Sequence, residues 1–491
     1  MPEFDQDLIS IQEARTLALA AKAAQEQWAR ATQEQVDRVC AAMAEAGAAA
    51  AERLGAMAVE ETGYGVREHK TLKNQLCSTL LWESIRAVRT VGVIERDEAL
   101  KLFRVALPMG VVAALIPSTN PTSTAFFKAM IAVKARDAIV ITPHPAAARC
   151  TAAAAAVMAE AAERAGAPRG LIGCMTHCSL AGTNELLRHR AVALILATGG
   201  TPMVRAAHSV GKPAYGVGPG NVPCYVDRSA DLAHAARCLV ASKAFDHSVI
   251  CATEQAAIVD LPVAAAFAQC CAAEGAHFVS EAEADLLRRT LFHPDGGMNA
   301  ATVGKSPQVL ARMAGFSVPE TARILVARLR EVGPKEPLSR EKLTTVLGWY
   351  EADGWEAGCA VCMDLINFGG EGHSLALHAR DEAVIMAFGL EKPVHRIVVN
   401  TLSSLGGTGL TTGIAPSMTL GPGGVGGAIT GDNIGVRHMF TVKTIACELR
   451  PAPAAAMAPG APALAPAAAR PAAPDDLVER IVQRVLADLR V

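Results

Sequence analysis

Residues 111–144 read VVAALIPSTNPTSTAFFKAMIAVKARDAIVITPH. Val111 to Ile116 is an unbroken apolar run of strand length, Phe126 to Lys134 has the pattern of a helix, and Ala138 to Ile141 is a second apolar run. Strands that read as continuous apolar runs are buried on both faces, as in parallel sheets covered by helices. The alternation continues outward. A helix is predicted over Ala152 to Ala165 and a strand over Ala193 to Leu196. After Cys251 come a strand over Gln255 to Val259, a helix around Ala264 to Ala273 and a strand over Ile324 to Ala327. Upstream, Ile9 to about Ala87 is helical in pattern and rich in alanine. The expected fold is α/β, with two parallel-sheet units behind a helical entry segment.

Size and charge agree with this. A chain of 491 residues that is 51% hydrophobic can bury a large core and divide into two or three domains. Lys plus Arg (46) nearly balance Asp plus Glu (48), and no basic stripe is interleaved with aromatics, so nucleic acid is not an expected partner. Met1 to Ser10 is acidic and no run of about 18 apolar residues follows, so neither a secretory leader nor a membrane span is expected, and the protein is expected in the cytoplasm. Thirteen cysteines without framework spacing suit a reducing compartment.

One cysteine stands apart. Phe245-Asp246-His247-Ser248-Val249-Ile250-Cys251-Ala252-Thr253-Glu254-Gln255 enters Cys251 from a short polar turn. A thiolate is the strongest common nucleophile near neutral pH, and one at the start of a helix gains from the backbone dipole, so Cys251 is the candidate nucleophile, expected to have an anion favoured in this way. Asn120, in the turn after Val111 to Ile116, can offer an amide to an oxygen that becomes negative, or can serve its own backbone. Ala197-Thr198-Gly199-Gly200-Thr201 follows a strand and opens a helix, leaving glycine N–H groups for a pyrophosphate. Gly216-Val217-Gly218-Pro219-Gly220-Asn221 has the wrong spacing for a dinucleotide fingerprint. Cys359-Ala360-Val361-Cys362 and Cys174-Met175-Thr176-His177-Cys178 lack a partner set, and no metal is expected.

These segments, with Phe368-Gly369-Gly370-Glu371-Gly372-His373-Ser374, the run from Ala415 through Gly427, Asn433-Ile434-Gly435 and His438, resemble the CoA-acylating aldehyde dehydrogenases from about Ile9 to Leu449. The likeness is strongest to the acetaldehyde dehydrogenase half of bifunctional aldehyde-alcohol dehydrogenases and to the aldehyde dehydrogenases of bacterial microcompartments. The resemblance implies that Cys251 attacks the aldehyde and that its own N–H and the Asn120 amide hold the oxyanion. It implies NAD, with NADP left open, near Pro117, Ser118, His144, Thr198, Gly199, Gly200 and Glu341, and coenzyme A as co-substrate. His247 and His373 are possible neighbours of the site. His247 stands where relatives carry Asn, and either tunes the thiol or pocket or fills a turn. Hydrolytic relatives carry a water-activating glutamate in a Glu-Leu-Gly-Gly segment, and here the matching stretch begins at Gly216. The alternatives are a hydrolytic enzyme that forms a carboxylic acid, an acylating sulfoacetaldehyde dehydrogenase, and an inactive scaffold.

The expected domains are an NAD-binding domain at 1–243, a catalytic domain at 244–430 and a return or oligomerisation arm at 431–450, implying a homodimer or homotetramer. A Pro/Ala linker follows at 451–474 and an amphipathic helix at 475–491. Leu477, Ile481, Val485 and Leu489 recur every four residues beside Val478, Val482 and Leu486, a stripe that needs a surface to cover it. Such a tethered helix looks like an encapsulation peptide that binds a microcompartment shell protein.

Overall fold

Two open parallel sheets organise the computed structural model, which describes residues 5–452. The helix expected at 475–491, and all but the first two residues of the linker expected at 451–474, lie outside the described residues. By its contacts the described chain divides into two units, one of 5–94 with Val105–Lys443, the other of Glu95–Arg104 with 444–452. The smaller unit is cut from a three-stranded sheet of Val93–Asp97, Leu102–Pro108 and Phe440–Ala446. Within it the Cys447 N–H donates to the Lys101 carbonyl at 3.1 Å, and Lys101 Nζ donates to the Glu448 carbonyl at 3.1 Å.

In the larger unit, the first sheet runs Ile172–Cys174, Ala138–Pro143, Val111–Ile116, Val192–Thr198, Ala214–Val217, all parallel. Every residue of Val111–Ile116 and Ala138–Pro143 is buried, as their continuous apolar runs require. Helix Pro121–Lys134 is buried along its whole length. Its proline sits in the first turn, where no N–H is missed. A helix buried on all sides must satisfy its cations, and Lys128 Nζ does so by donating to the carbonyls of Leu115 at 2.8 Å and Leu196 at 2.9 Å. That ammonium ties the carboxyl ends of the two strands between which the chain reverses its winding. In sheets of this kind ligands sit at that reversal.

The second sheet runs Ala276–Phe278, Ile324–Arg328, Val346–Ala352, Glu254–Asp260, Val222–Val226, Leu375–His378, Ile397–Val399, again all parallel. Val222–Val226 pairs with Glu254–Asp260 and Leu375–His378, and helix Leu232–Ala244 packs into the second core, so the second sheet begins soon after Val217. Met418, Ile434, Val436 and Met439 return to the core of the first sheet, although Met418 lies within the stretch 244–430. Pairing and burial across the sheet decide membership here, and neither is visible in a local pattern. Among the described residues no helix is long and apolar enough to cross a membrane.

Candidate active site

The winding reversal delivers two loops to one place. Pro117–Asn120 leaves strand Val111–Ile116, and Gly199–Gly200 leaves strand Val192–Thr198. They border a cavity of about 380 Å³ whose lining also includes Cys251, His144 and Glu341. Nine of the residues singled out from the sequence thus share one cavity: Pro117, Ser118, Asn120, His144, Thr198, Gly199, Gly200, Cys251 and Glu341. His247 and His373 do not line it.

Cys251 does not open a helix. It follows a short 3-10 turn, Phe245–Ser248, and precedes strand Glu254–Asp260, so no helix dipole favours its anion. Burial, and then the charge of Glu341, push its thiol up to about 12, opposed by Arg396 and by the N–H groups of Cys251 and Ala252. The expectation of a depressed thiol fails in this state because desolvation outweighs the two backbone donors. The turn before it is strained: Asp246, His247 and Ser248 have φ of 49°, 50° and 67°, a left-handed run that side chains resist. His247 Nδ1 pairs with the Gly304 carbonyl at 3.0 Å, which anchors this turn, and burial lowers its pKa.

Asn120 spends none of its amide on its own helix end. Its Nδ2 donates to the Val249 carbonyl at 3.0 Å, two residues before Cys251, and to Thr119 Oγ1 at 3.2 Å. Its Oδ1 accepts from Lys73 Nζ. Lys73 and its neighbour Lys70 both pair with Asp246, and all three side chains are buried. The sequence reading missed this cluster. Lys70 and Lys73 are three apart on helix Arg67–Gln75, a spacing that puts them on one face, but their partner is more than 170 residues away.

Glu341 accepts from the Gly220 N–H at 3.0 Å, and burial pushes its carboxyl up to about 7. Gly220 is packed so tightly that an added Cβ would lie 2.5 Å from the Cys251 carbonyl and 3.0 Å from the His373 ring. His373 is thus beside the backbone of Cys251. Its Nδ1 pairs with Ser374 Oγ at 3.0 Å, its buried Nε2 has no partner among the described residues, and burial with Arg396 lowers its pKa to about 3, leaving a neutral ring. His144 Nδ1 accepts from the Ala146 N–H at 3.2 Å, and burial lowers its pKa.

Gly200 caps helix Thr201–Ser209 without a side-chain bond; Pro202 has no N–H, the Met203 N–H donates to the Gly200 carbonyl at 3.0 Å and the Gly199 N–H to the Val217 carbonyl at 3.3 Å, so among the described residues the N–H groups of Gly200 and Thr201 are left as a cradle for an anion. Gly216 faces the other way: an added Cβ would meet His208 and lie 2.7 Å from Val204 of that helix. Gly218 and Pro219 form part of a second cavity of about 780 Å³ as well as the first. Cys359 and Cys362 are buried, and the described residues hold no group of three or more His, Cys, Asp or Glu suited to a metal.

Comparison with known proteins agrees with this geometry. Residues 8–284 match the model of the aldehyde dehydrogenase family. An acetylating aldehyde dehydrogenase of Geobacillus thermoglucosidasius is 48% identical, with a TM-score of 0.90 over 92% of this chain and 100% of that one. The aldehyde-alcohol dehydrogenase of Streptococcus pneumoniae is 41% identical over 78% of this chain, which spans only 45% of that relative's length. A propionaldehyde dehydrogenase from the fucose utilisation bacterial microcompartment of Clostridium phytofermentans is 25% identical, with a TM-score of 0.80 over 89% of this chain and 97% of that one. The matched model covers more than half of the residues, and the chain belongs to the aldehyde dehydrogenase family.

Proposed function

We propose that this chain is a CoA-acylating aldehyde dehydrogenase that converts a short-chain aldehyde, CoA and NAD reversibly to acyl-CoA, NADH and a proton. One observation carries the reading: Cys251, Asn120 and Thr198–Gly200 share a cavity, while the stretch that resembles the Glu-Leu-Gly-Gly segment, Gly216 to Pro219, holds no carboxylate, and the side-chain direction of Gly216 is filled. Cys251 Sγ bonds to the aldehyde carbon as its proton leaves, and the N–H of Cys251 and the amide of Asn120 hold the resulting oxyanion. NAD, held by the cradle and by Glu341, supplies the hydride acceptor. Cys251 then carries a thioester, and the CoA thiolate takes the acyl group with Cys251 as leaving group. Thiol and thioester are exchanged for thiol and thioester, so this step runs both ways.

The lining also favours a substrate. Val249, Ile250, Met298, Leu343, Met418 and Leu420 present apolar surface, and no lysine or arginine is among the described lining residues. A sulfonate or carboxylate on the aldehyde would find no counter-charge there, which favours acetaldehyde or propionaldehyde over sulfoacetaldehyde.

The test follows NADH absorbance with acetaldehyde, with and without CoA. With CoA, turnover is continuous. Without it, the expected result is at most about one NADH per Cys251 and then a rate lower by about a hundredfold, the usual contribution of a general base. Steady NADH with free acid and no CoA would instead establish hydrolysis, with Glu341 as the remaining carboxylate in the cavity.

The pattern of 475–491 supports a finer reading, in which this segment binds a shell protein and places the enzyme inside a microcompartment. Truncation after Pro451 is expected to preserve turnover and to abolish co-purification with shells, and shells that still retain the truncated enzyme would exclude it.

A further inference from the structure

Asn120 can hold an oxyanion only if its nitrogen faces the reacting carbon, and two neighbours decide that orientation. The Val249 carbonyl has only lone pairs to offer and accepts from Nδ2 at 3.0 Å. An ammonium has only protons to offer, and Lys73 donates to Oδ1. The amide is held from both ends with its nitrogen toward the segment that leads to Cys251, and its second Nδ2 proton, on Thr119 Oγ1 at 3.2 Å, is the one that a ligand oxygen would take over from that hydroxyl.

Lys73 does not act alone. Lys70 Nζ lies 2.8 Å from Asp246 Oδ2 and donates to the Thr119 carbonyl at 2.5 Å. Lys73 bridges the same carboxylate oxygen and the next residue, Asn120. Asp246 in turn accepts from the Val66 N–H at 2.8 Å, and its own N–H donates to His69 Nδ1 at 2.8 Å, while the His69 ring stacks on Phe245 at 4.5 Å. Two straps therefore run from the strained turn that leads to Cys251 to the loop that carries Asn120. Two lysine amino groups share one carboxylate, and the only other acceptor of Lys73 among the described residues is the Asn120 amide. A cation on the carbonyl end of an amide polarises it and strengthens its N–H as a donor.

We propose that Lys73 is a positioning residue for aldehyde oxidation: anchored by Asp246, it fixes the orientation of the Asn120 amide and strengthens its hydrogen bond to the oxyanion on the substrate of Cys251. This rests on the reading of Cys251 and Asn120 given above. Burial outweighs the pull of Asp246 and lowers the pKa of Lys73 to about 7, and both partners of its Nζ, Asp246 Oδ2 and Asn120 Oδ1, take its protons as acceptors. Removing Lys73 leaves Lys70 and Asp246 as a neutral pair, which keeps a Lys73→Met variant within reach of folding.

The test is a double-mutant cycle on the single-turnover NADH burst, using full-length wild type, Lys73→Met, Asn120→Ala and the double variant, with propionaldehyde and NAD. Lys73→Met is expected to lower the burst rate constant about tenfold to a hundredfold, within the range seen when an oxyanion donor is disturbed. The double variant is expected to be no slower than Asn120→Ala, because Lys73 acts through that amide. Alkylation of Cys251 by iodoacetamide, which forms no oxyanion, is expected to stay within about twofold of wild type. Lys73→Arg, which keeps a donor-only cation, is expected to recover most of the rate. Lys73→Gln, which lets the amide turn over, is expected to behave as Lys73→Met does, and it replaces that variant should the methionine fail to fold. A burst rate unchanged in Lys73→Met or Lys73→Gln overturns the proposal, and so do losses that multiply in the double variant. A wild type with no burst at all would instead overturn the functional reading itself.

Discussion

Exchange of Cys251 for alanine is expected to abolish aldehyde-dependent NADH formation, a loss of at least about 10⁴-fold. No second thiol can stand in, because Cys251 is the one cysteine in the cavity lining and the chain places its other twelve elsewhere. Without sulfur no tetrahedral adduct forms, and the remaining groups have nothing to orient. Residual activity within about tenfold of wild type would remove the sulfur from the mechanism. A second readout concerns the resting thiol of the wild type. Burial and Glu341 push it up to about 12, so the thiolate is a small fraction at every pH from 7 to 9, and that fraction grows about tenfold for each unit. Iodoacetamide labelling of the peptide that contains Cys251, in the absence of NAD, is expected to accelerate in that proportion. A plateau near neutral pH would mean that the thiolate is already formed, as a helix start would have favoured.

Replacing Asn120 with alanine is the second large effect, expected to slow the acylation burst about a hundredfold, or roughly 3 kcal/mol of transition-state stabilisation. The loss is expected in kcat rather than in the KM for aldehyde, since the amide meets an oxyanion and not a neutral carbonyl. Alanine also takes one acceptor away from Lys73, but Asp246 still accepts from its Nζ, so the fold is expected to persist. Asn120→Asp separates the two roles. It keeps an acceptor for Lys73 and removes the donor, so a comparably slow burst in Asn120→Asp points to the lost N–H, whereas a near-normal burst would show that packing, not donation, is what Asn120 supplies.

Much of the architecture was legible from local pattern. The apolar runs over 111–116 and 138–141 are buried strands because only a strand covered on both faces reads that way, and the glycines at 199 and 200 open a helix as expected. The sheet to which Val222–Val226 belongs was not legible, because its partners are 32 and more residues away, and pairing leaves no local mark. Nor was the acidity of Cys251. A polar turn before a cysteine resembles a helix start, and the tertiary structure puts a 3-10 turn and a strand there instead.

The chain order of Asn120, Thr198 to Gly200 and Cys251 carries the proposed chemistry, since residue type and spacing along the backbone need no folding to be read. Which atoms those groups show to a substrate is settled by contacts across the fold. Lys73 and Asp246 meet from positions 173 apart, the Asn120 amide is turned by them, and desolvation inside the cavity holds the thiol of Cys251 protonated. Electrostatic and hydrogen-bonding effects of this kind depend on distance through space, which a linear text does not record.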